Sequence, residues 1–588
     1  MFFLINCTFN KSYKLFVILT MLLINASRVH NYTIGVISMS SPSQPGLKSF
    51  ELPLKVPETL IPYDTRKLPQ EYVEICVIGS GAAGLCAALE ASKTRSVLVI
   101  TKAEFSESAT WYAQGGIAIA IGGIKNEQSH IKDTINAGYG LNDIDIVSEI
   151  VKEGPKDLQK LLKLGTTFDT NIDDNGHKTL SLTQEGGHSR RRILHAGGDA
   201  TGKAIETSLI DAAKRNEYIR IYEQTFVVDL LIDENNICRG ILAMRNGKIF
   251  VVWADAVILS TGGIGQIYRE TTNPKVATAD GHAIAYRAGA IMRDLEFMQF
   301  HPTTLYLAGT ARILVTEAVR GEGGILRNRL GKRFMPEYDS NAELAPRDIV
   351  SRACISEMQK TGDTNVYLDV THLDIEKLRK RFPGFTKTCE KFDIDLTTEL
   401  VPVRPTAHYY IGGVKVDING KTNIERLYAV GELACSSFHG ANRLGSNSLL
   451  EAVVIGLRAG ECAANEMGSI GKQKQLISEG PKKREDFDAD IDDLTNAVKS
   501  LMWNMMGVIR EKEGLEKALI RLHSWMRYAL FNVFNEAKAW ELQNMLTIAA
   551  PMLESALKRE ESRGVHFRSD FPEMNDKFNI HIDLFKPK

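Results

Sequence analysis

The sequence is short of several things, and each shortage removes a class of function. Its eight cysteines, Cys7, Cys76, Cys86, Cys238, Cys354, Cys389, Cys435 and Cys462, are scattered and form no C-x-x-C pair, which argues against a disulfide scaffold, a zinc ribbon or an iron–sulfur centre. No metal is expected, and redox chemistry in such a chain needs an organic cofactor. An excess of charge is also missing. With 71 Lys and Arg against 72 Asp and Glu, the formal net charge is -1, so no global field draws nucleic acid, and an anionic ligand must be gripped by local cations. The apolar run LFVILTMLLI at residues 15–24 falls short of the roughly 20 residues that span a bilayer, and no integral membrane association is expected of the mature protein. What remains is an ordinary globular composition, 44% hydrophobic and 24% charged over 588 residues, enough for roughly four domain-equivalents.

Acid is absent from the start of the chain. Residues 1–50 hold no Asp or Glu and four Lys or Arg. The short apolar core followed by a Ser-rich stretch has the composition of a targeting segment. Pro42, Pro45, Pro53, Pro57, Pro62 and Pro69 then read as a linker, so residues 1–70 are expected to be targeting segment and linker, with folded structure beginning near Glu71.

There the pattern changes. The β-rich run YVEICVI from Tyr72 leads into Gly79-Ser80-Gly81-Ala82-Ala83-Gly84, a helical LCAALEASK and a second strand SVLVI. Strand, G-x-G-x-x-G, helix and strand form a βαβ unit whose helix N-terminus holds a pyrophosphate. One usual part is missing: the second strand ends in Thr101-Lys102, with no acid placed for the ribose hydroxyls. AVILSTGGIG at residues 256–265 and LYAVGEL at residues 427–433 are two further buried-strand patterns ending in glycine. Three strands converging on one nucleotide suggest FAD, with Glu432 a candidate acceptor for its ribose.

At this point a wider resemblance emerges. The runs ATWYAQGGIA (109–118), QEGGHSRRRILHAGGDATG (184–202), FMQFHPTTLY (297–306), TEAVRGEGG (316–324), ELAPRD (343–348), AHYYIGGVKVD (407–417) and HGANRLGSNSLLE (439–451) occur in this order. Over residues 71–568 the chain resembles the flavoprotein family of fumarate reductases, succinate dehydrogenases and L-aspartate oxidases, the last most closely. The fold implied is α/β: a Rossmann-like FAD-binding domain in two parts (71–294 and 408–478), an inserted α+β capping domain (295–407) and a C-terminal helical bundle (479–588). FAD would contact the 79–84 turn, Lys102, Ala109, Thr110, Trp111, Tyr112, Ala113, Gln114, Gly115, Gly116, Asp280, Glu432, Ser448 and Leu449. Lys102 would fill the place of the missing acid. Membrane-bound relatives tether the flavin through a histidine, and here that run reads Ser108-Ala109-Thr110. The FAD is therefore expected to be non-covalent.

A dicarboxylate needs donors at both ends, each charged hydrogen bond contributing roughly 1.5–3 kcal/mol in a dry site. His301, His408 and Arg443 lie in Gly- or Pro-rich turns and, by the resemblance, are substrate clamps together with Thr316. Arg347 resembles the family's proton acceptor and donor, with Glu317 and Arg320 as its relay and Asp348 orienting it. A second reading leaves Arg347 as a clamp alone. Glu185 stands apart, an acid among His188, Arg190, Arg191, Arg192 and His195, fitted to the ammonium group of an amino acid.

The implied activity is FAD-dependent oxidation of L-aspartate to iminosuccinate, with electrons passed to O2, giving H2O2, or to fumarate. That is the first step of de novo NAD synthesis through quinolinate, in an organelle, the plastid, with quinolinate synthase as pathway partner. The rival reading is a soluble fumarate reductase or succinate dehydrogenase-type flavoprotein. In the tail, Trp503, Met506 and Ile509 repeat at three-residue spacing, as on one helix. An apolar stripe from Leu542 to Ala556 is expected to kink or restart at Pro551.

Overall fold

A computed structural model describes residues 48–51, 55–172, 176–307, 309, 312–466, 475–482 and 490–586. The segment read as a targeting signal, residues 1–50, lies outside them apart from residues 48–50. Residues 55–69, read as linker, are instead packed. Leu60 and Thr65 are buried and the Leu60 amide donates to Asp229 at 2.7 Å, because the prolines are interleaved with apolar side chains that a free linker would leave in water.

The βαβ unit is β1 (Gln70–Ile78), α1 (Ala82–Ala91) and β2 (Val97–Ile100). Residues 97–100 are all buried, as are Ile75 to Ile78, which fits parallel strands covered on both faces. The sheet runs Ile219–Tyr222, β2, β1, Lys248–Leu259, Cys238–Arg245, Thr225–Ile232. The long Lys248–Leu259 strand has two uses. Its first half pairs antiparallel with Cys238–Arg245, and its end lies parallel between β1 and Leu427–Ala429. The three strand ends predicted to converge are therefore neighbours, and their loops open on one side.

A second, four-stranded antiparallel sheet is ordered Met298–Leu305, Val401–Tyr410, Val366–Asp369, Ile325–Arg327. With the helices Arg347–Thr361, Ile375–Arg381 and Pro383–Lys391 it encloses a core of its own, including Leu326, Phe334, Val350 and Leu368. Two strands of this sheet continue toward the nucleotide domain and carry the histidines described below.

Among the described residues the tail contains three α-helices, Ile491–Met505, Lys512–Ala529 and Ala537–Lys558. The three pack on one another as the expected bundle, and its apolar side chains merge with those of the nucleotide sheet into one core. Trp503, Met506 and Ile509 do not share a helix, since the first helix ends at Met505. Nor does Pro551 end the last one, which runs through it to Lys558. Residues 542–556 are buried all round, so packing on every side compensates for the hydrogen bond that proline cannot donate. No described helix is long and apolar enough to cross a membrane.

Candidate active site

A cavity of about 970 Å³ runs from the α1 N-terminus to the base of the second sheet. That is the upper end of small-molecule sites, room for a large ligand and a small one. Gly79 turns the chain at φ +115°, where a Cβ would lie 2.1 Å from the Ser260 carbonyl oxygen. Gly84 lets α1 sit against Ser260, its Cβ position being 2.3 Å from the hydroxyl. Gly81 is different. It lines the cavity, and a Cβ there would meet protein no nearer than 3.4 Å, so the space a side chain would take is the cavity itself. With the α1 N-terminus beside it, where the Ala82 amide donates to the Thr110 hydroxyl at 3.2 Å and the next amides have no partner within the helix, this cradle fits a pyrophosphate.

Of the residues assigned to FAD from sequence, all line the cavity except two. Gly84 is spent on helix packing. Trp111 turns away, and Lys203 sits 5.0 Å over its ring. Lys102 does not act alone: its ammonium group donates to Asp280 at 2.6 Å, to Thr278 at 2.5 Å and to Glu541 at 2.5 Å. Asn544 also donates to Asp280, at 2.8 Å. Glu541 and Asn544 belong to the last helix, and no local signal marks them. Glu432 accepts from the Tyr410 amide at 2.9 Å, and burial pushes its carboxyl up to about 7.

The other end of the cavity is built by three segments. His301 and His408 face each other from the paired strands of the second sheet, rings 5.2 Å apart, where a register shift after His301 turns the strand. His301 Nδ1 lies 3.0 Å from the Thr303 carbonyl oxygen and His408 Nδ1 2.9 Å from the Thr272 hydroxyl, which fixes both rings. Burial, then Arg347 for His301 and Arg443 for His408, holds both imidazoles well below their ordinary range. Arg347 is the first residue of its helix, a place where the dipole disfavours a cation. Glu317 keeps it there, accepting from Nε at 2.7 Å. Burial alone would raise the Glu317 carboxyl, but Arg347 and Arg320 overcome it and hold the group below its ordinary value.

Asp348 does not orient Arg347 as expected; it accepts from Tyr139, Asn442 and Arg352, because one helical step turns its side chain by about 100°. Gln299, unmarked in the sequence, lies 3.4 Å from an Arg347 amino group. Arg320 is fully buried behind Glu317, 3.8 Å away, and does not line the cavity. Thr316, Glu317, Arg347, His301, His408 and Arg443 all do. The Arg443 guanidinium lies 4.4 Å over the Tyr409 ring with its Nε buried and unpartnered. Burial and Arg347 push it down to about 10.

Glu185 is buried on the cavity wall. Ser446 donates to its Oε2 at 2.7 Å from a backbone at φ +61°, a left-handed conformation uncommon for serine. The Arg run beside it divides: Arg190 and Arg191 are exposed, whereas Arg192 is buried and donates to Asp133 at 2.6 Å.

A dinucleotide cradle opening into a buried chamber of guanidinium and imidazole groups defines the class, FAD-dependent oxidoreductases. Residues 74–449 match the family model described as FAD binding domain, and residues 495–586 match fumarate reductase flavoprotein C-term. The chain is 38% identical to L-aspartate oxidase 2-b, chloroplastic, of Nicotiana tabacum, over 87% of this chain and 83% of that one. It is 40% identical to L-aspartate oxidase of Vibrio cholerae, over 85% and 96%. The chain belongs to the L-aspartate oxidase family, and its cofactor is FAD. Among solved structures, E. coli quinol fumarate reductase superposes with a TM-score of 0.79 at 30% identity, covering 87% of this chain and 93% of that one. Mycobacterium smegmatis Sdh1 does so at 0.76 and 32%, covering 87% and 91%.

Proposed function

We propose that the chain oxidises L-aspartate to iminosuccinate. The observation that carries this reading is Glu185. Glu317, the other acid at this end of the cavity, is bound to Arg347, whereas the side-chain hydrogen bond to Glu185 comes from the neutral Ser446 hydroxyl. A carboxylate with no hydrogen-bonded cation, on a cavity wall that also carries Arg347, Arg443, His301 and His408, is the counter-ion for the substrate's ammonium group. Fumarate and succinate have no such group.

Arg443 and His408 hold one substrate carboxylate, and His301, Thr316 and Arg347 the other. Nδ1 of each histidine is already engaged, so Nε2 meets the substrate, and a bound carboxylate draws a proton onto it. FAD held in the cradle would supply the hydride acceptor for the substrate Cα, with O2, giving H2O2, or fumarate as the final electron acceptor. The cofactor is non-covalent, since Ser108-Ala109-Thr110 offers no tethering histidine. Arg347 serves as a clamp in this direction. When fumarate is reduced, the Arg347, Glu317 and Arg320 chain carries the proton that Arg347 delivers, and this buried relay favours fumarate reduction as a second activity.

The sheet built on Met298–Leu305 and Val401–Tyr410 is the cap, residues 295–407, and its closure excludes water from the chamber. Iminosuccinate feeds quinolinate and NAD synthesis, with quinolinate synthase as its consumer. The acid-free N-terminus and the chloroplastic names of the plant relatives support a plastid location. Anaerobic flavin bleaching tests the substrate: L-aspartate bleaches the cofactor and D-aspartate does not. Bleaching by succinate alone overturns the assignment.

A further inference from the structure

Oxidation of an amino acid to an imine requires the substrate ammonium to shed a proton before its nitrogen can push electrons toward the departing hydride. The proton must then leave a closed chamber. Most basic groups nearby are unsuited to carry it. Burial, and then the guanidinium groups around them, keep His301 and His408 uncharged until an anion binds. His188 has both ring nitrogens engaged, Nε2 with the Gly445 carbonyl at 2.9 Å and Nδ1 with Arg192 at 2.8 Å. Glu317 is committed to Arg347.

His195 differs from all of these. Its Nε2 lies 3.9 Å from Oε1 of Glu185, the oxygen that Ser446 leaves free. It does not line the cavity, so Glu185 separates it from the substrate. Its side chain keeps 13% exposure, and its Nδ1 is buried with no hydrogen-bond partner. Its charge is felt by Asp199, whose carboxylate accepts from the Gly384 amide of the second sheet's layer at 3.1 Å. Burial pushes that carboxyl up, while the Gly384 and Phe385 amides and the His195 imidazole pull it down.

We infer that His195 takes the substrate's ammonium proton from Glu185 and releases it to water at the seam between the nucleotide domain and the cap. The step balances. One N–H bond of the ammonium group breaks and an O–H bond forms on Glu185. That bond breaks as Nε2 of His195 is protonated, and the imidazolium, whose side chain keeps its exposed edge, gives that proton to solvent while the buried Nδ1 retains its own. The freed nitrogen lone pair then forms the C=N bond as hydride leaves Cα for the FAD.

This rests on L-aspartate being the substrate, and the test separates the two. Flavin reduction by L-aspartate is followed anaerobically in a single turnover of the holoenzyme, for the wild type, His195→Ala and His195→Gln, with succinate affinity measured on each. No reduction in the wild type ends the substrate reading. Given reduction there, a relay predicts a rate lower by about tenfold to a hundredfold in both variants, unchanged succinate affinity, and partial rescue of His195→Ala by free imidazole. Should His195→Ala fail to fold, the slowed but folded His195→Gln still carries the claim. Wild-type rates in the variants overturn it, as does a loss that imidazole cannot rescue and that weakens succinate binding equally.

Discussion

Two buried charge clusters in this protein are built to opposite rules. Near the tail, Arg559 is completely buried and fully partnered. It bonds Glu296 through Nε, Glu561 at 3.2 Å, and the Phe578 and Ile580 carbonyls at 2.6 and 2.9 Å, with Asp294 3.7 Å away. Arg563 and His581 complete the pairing with Glu561 and Asp294. At the substrate end Arg347 and Arg320 share Glu317, Arg443 has no salt-bridged carboxylate among the described residues, and Nε of Arg443 and of Arg320 have no partner. A folded interior tolerates buried charge when it is paired. The surplus of cation makes sense as a site held open for the two carboxylates of a ligand, with the Arg347 and Arg443 guanidinium groups on the cavity wall.

Removing one arginine from each cluster sharpens the contrast. Arg559→Met strands Glu296 and should lower stability by about 3–5 kcal/mol, read as a large fall in thermal midpoint or a failure to accumulate folded protein. Arg443→Met relieves crowding of like charge, so its midpoint should hold or rise. Yet it should lose about tenfold to a hundredfold in kcat/KM for L-aspartate, the equivalent of one charged hydrogen bond. A stability loss in Arg443→Met as deep as in Arg559→Met would erase the distinction.

A smaller effect follows from the two clamping histidines. Both are held neutral in the free site and gain a proton when a dianion arrives, so binding takes up protons and tightens as pH falls. Succinate affinity, followed by flavin absorbance, should therefore weaken steadily from mildly acid to mildly alkaline solution. A flat profile would mean that the imidazoles bind without changing charge.

The two ends of the cavity were also unequally legible. The cofactor cradle is made by backbone within one short stretch, so Gly79 to Gly84 and the strands around them announce it. What completes it does not: Glu541 reaches Lys102 across 439 residues of sequence, and only the buried packing of the last helix brings it there. At the substrate end the clamps were legible as motifs, while the residues that hold them were not. Gln299 and Ser446 act through contacts that only the strand pairing and a left-handed turn create. Asp348 was misjudged because adjacency in sequence is not adjacency on a helix. The tail was misread for a related reason: a spacing of three suits a helix only while the helix lasts, and Met506 and Ile509 fall beyond its end.

The central claim is that Glu185 selects an amino acid by pairing with its ammonium group. Glu185→Gln keeps the shape and the Ser446 contact but removes the charge, and both half-reactions can be timed in the same sample: flavin reduction by L-aspartate and reoxidation by fumarate. The account predicts that reduction slows by about tenfold or more while reoxidation is spared. Equal losses in the two directions would contradict it.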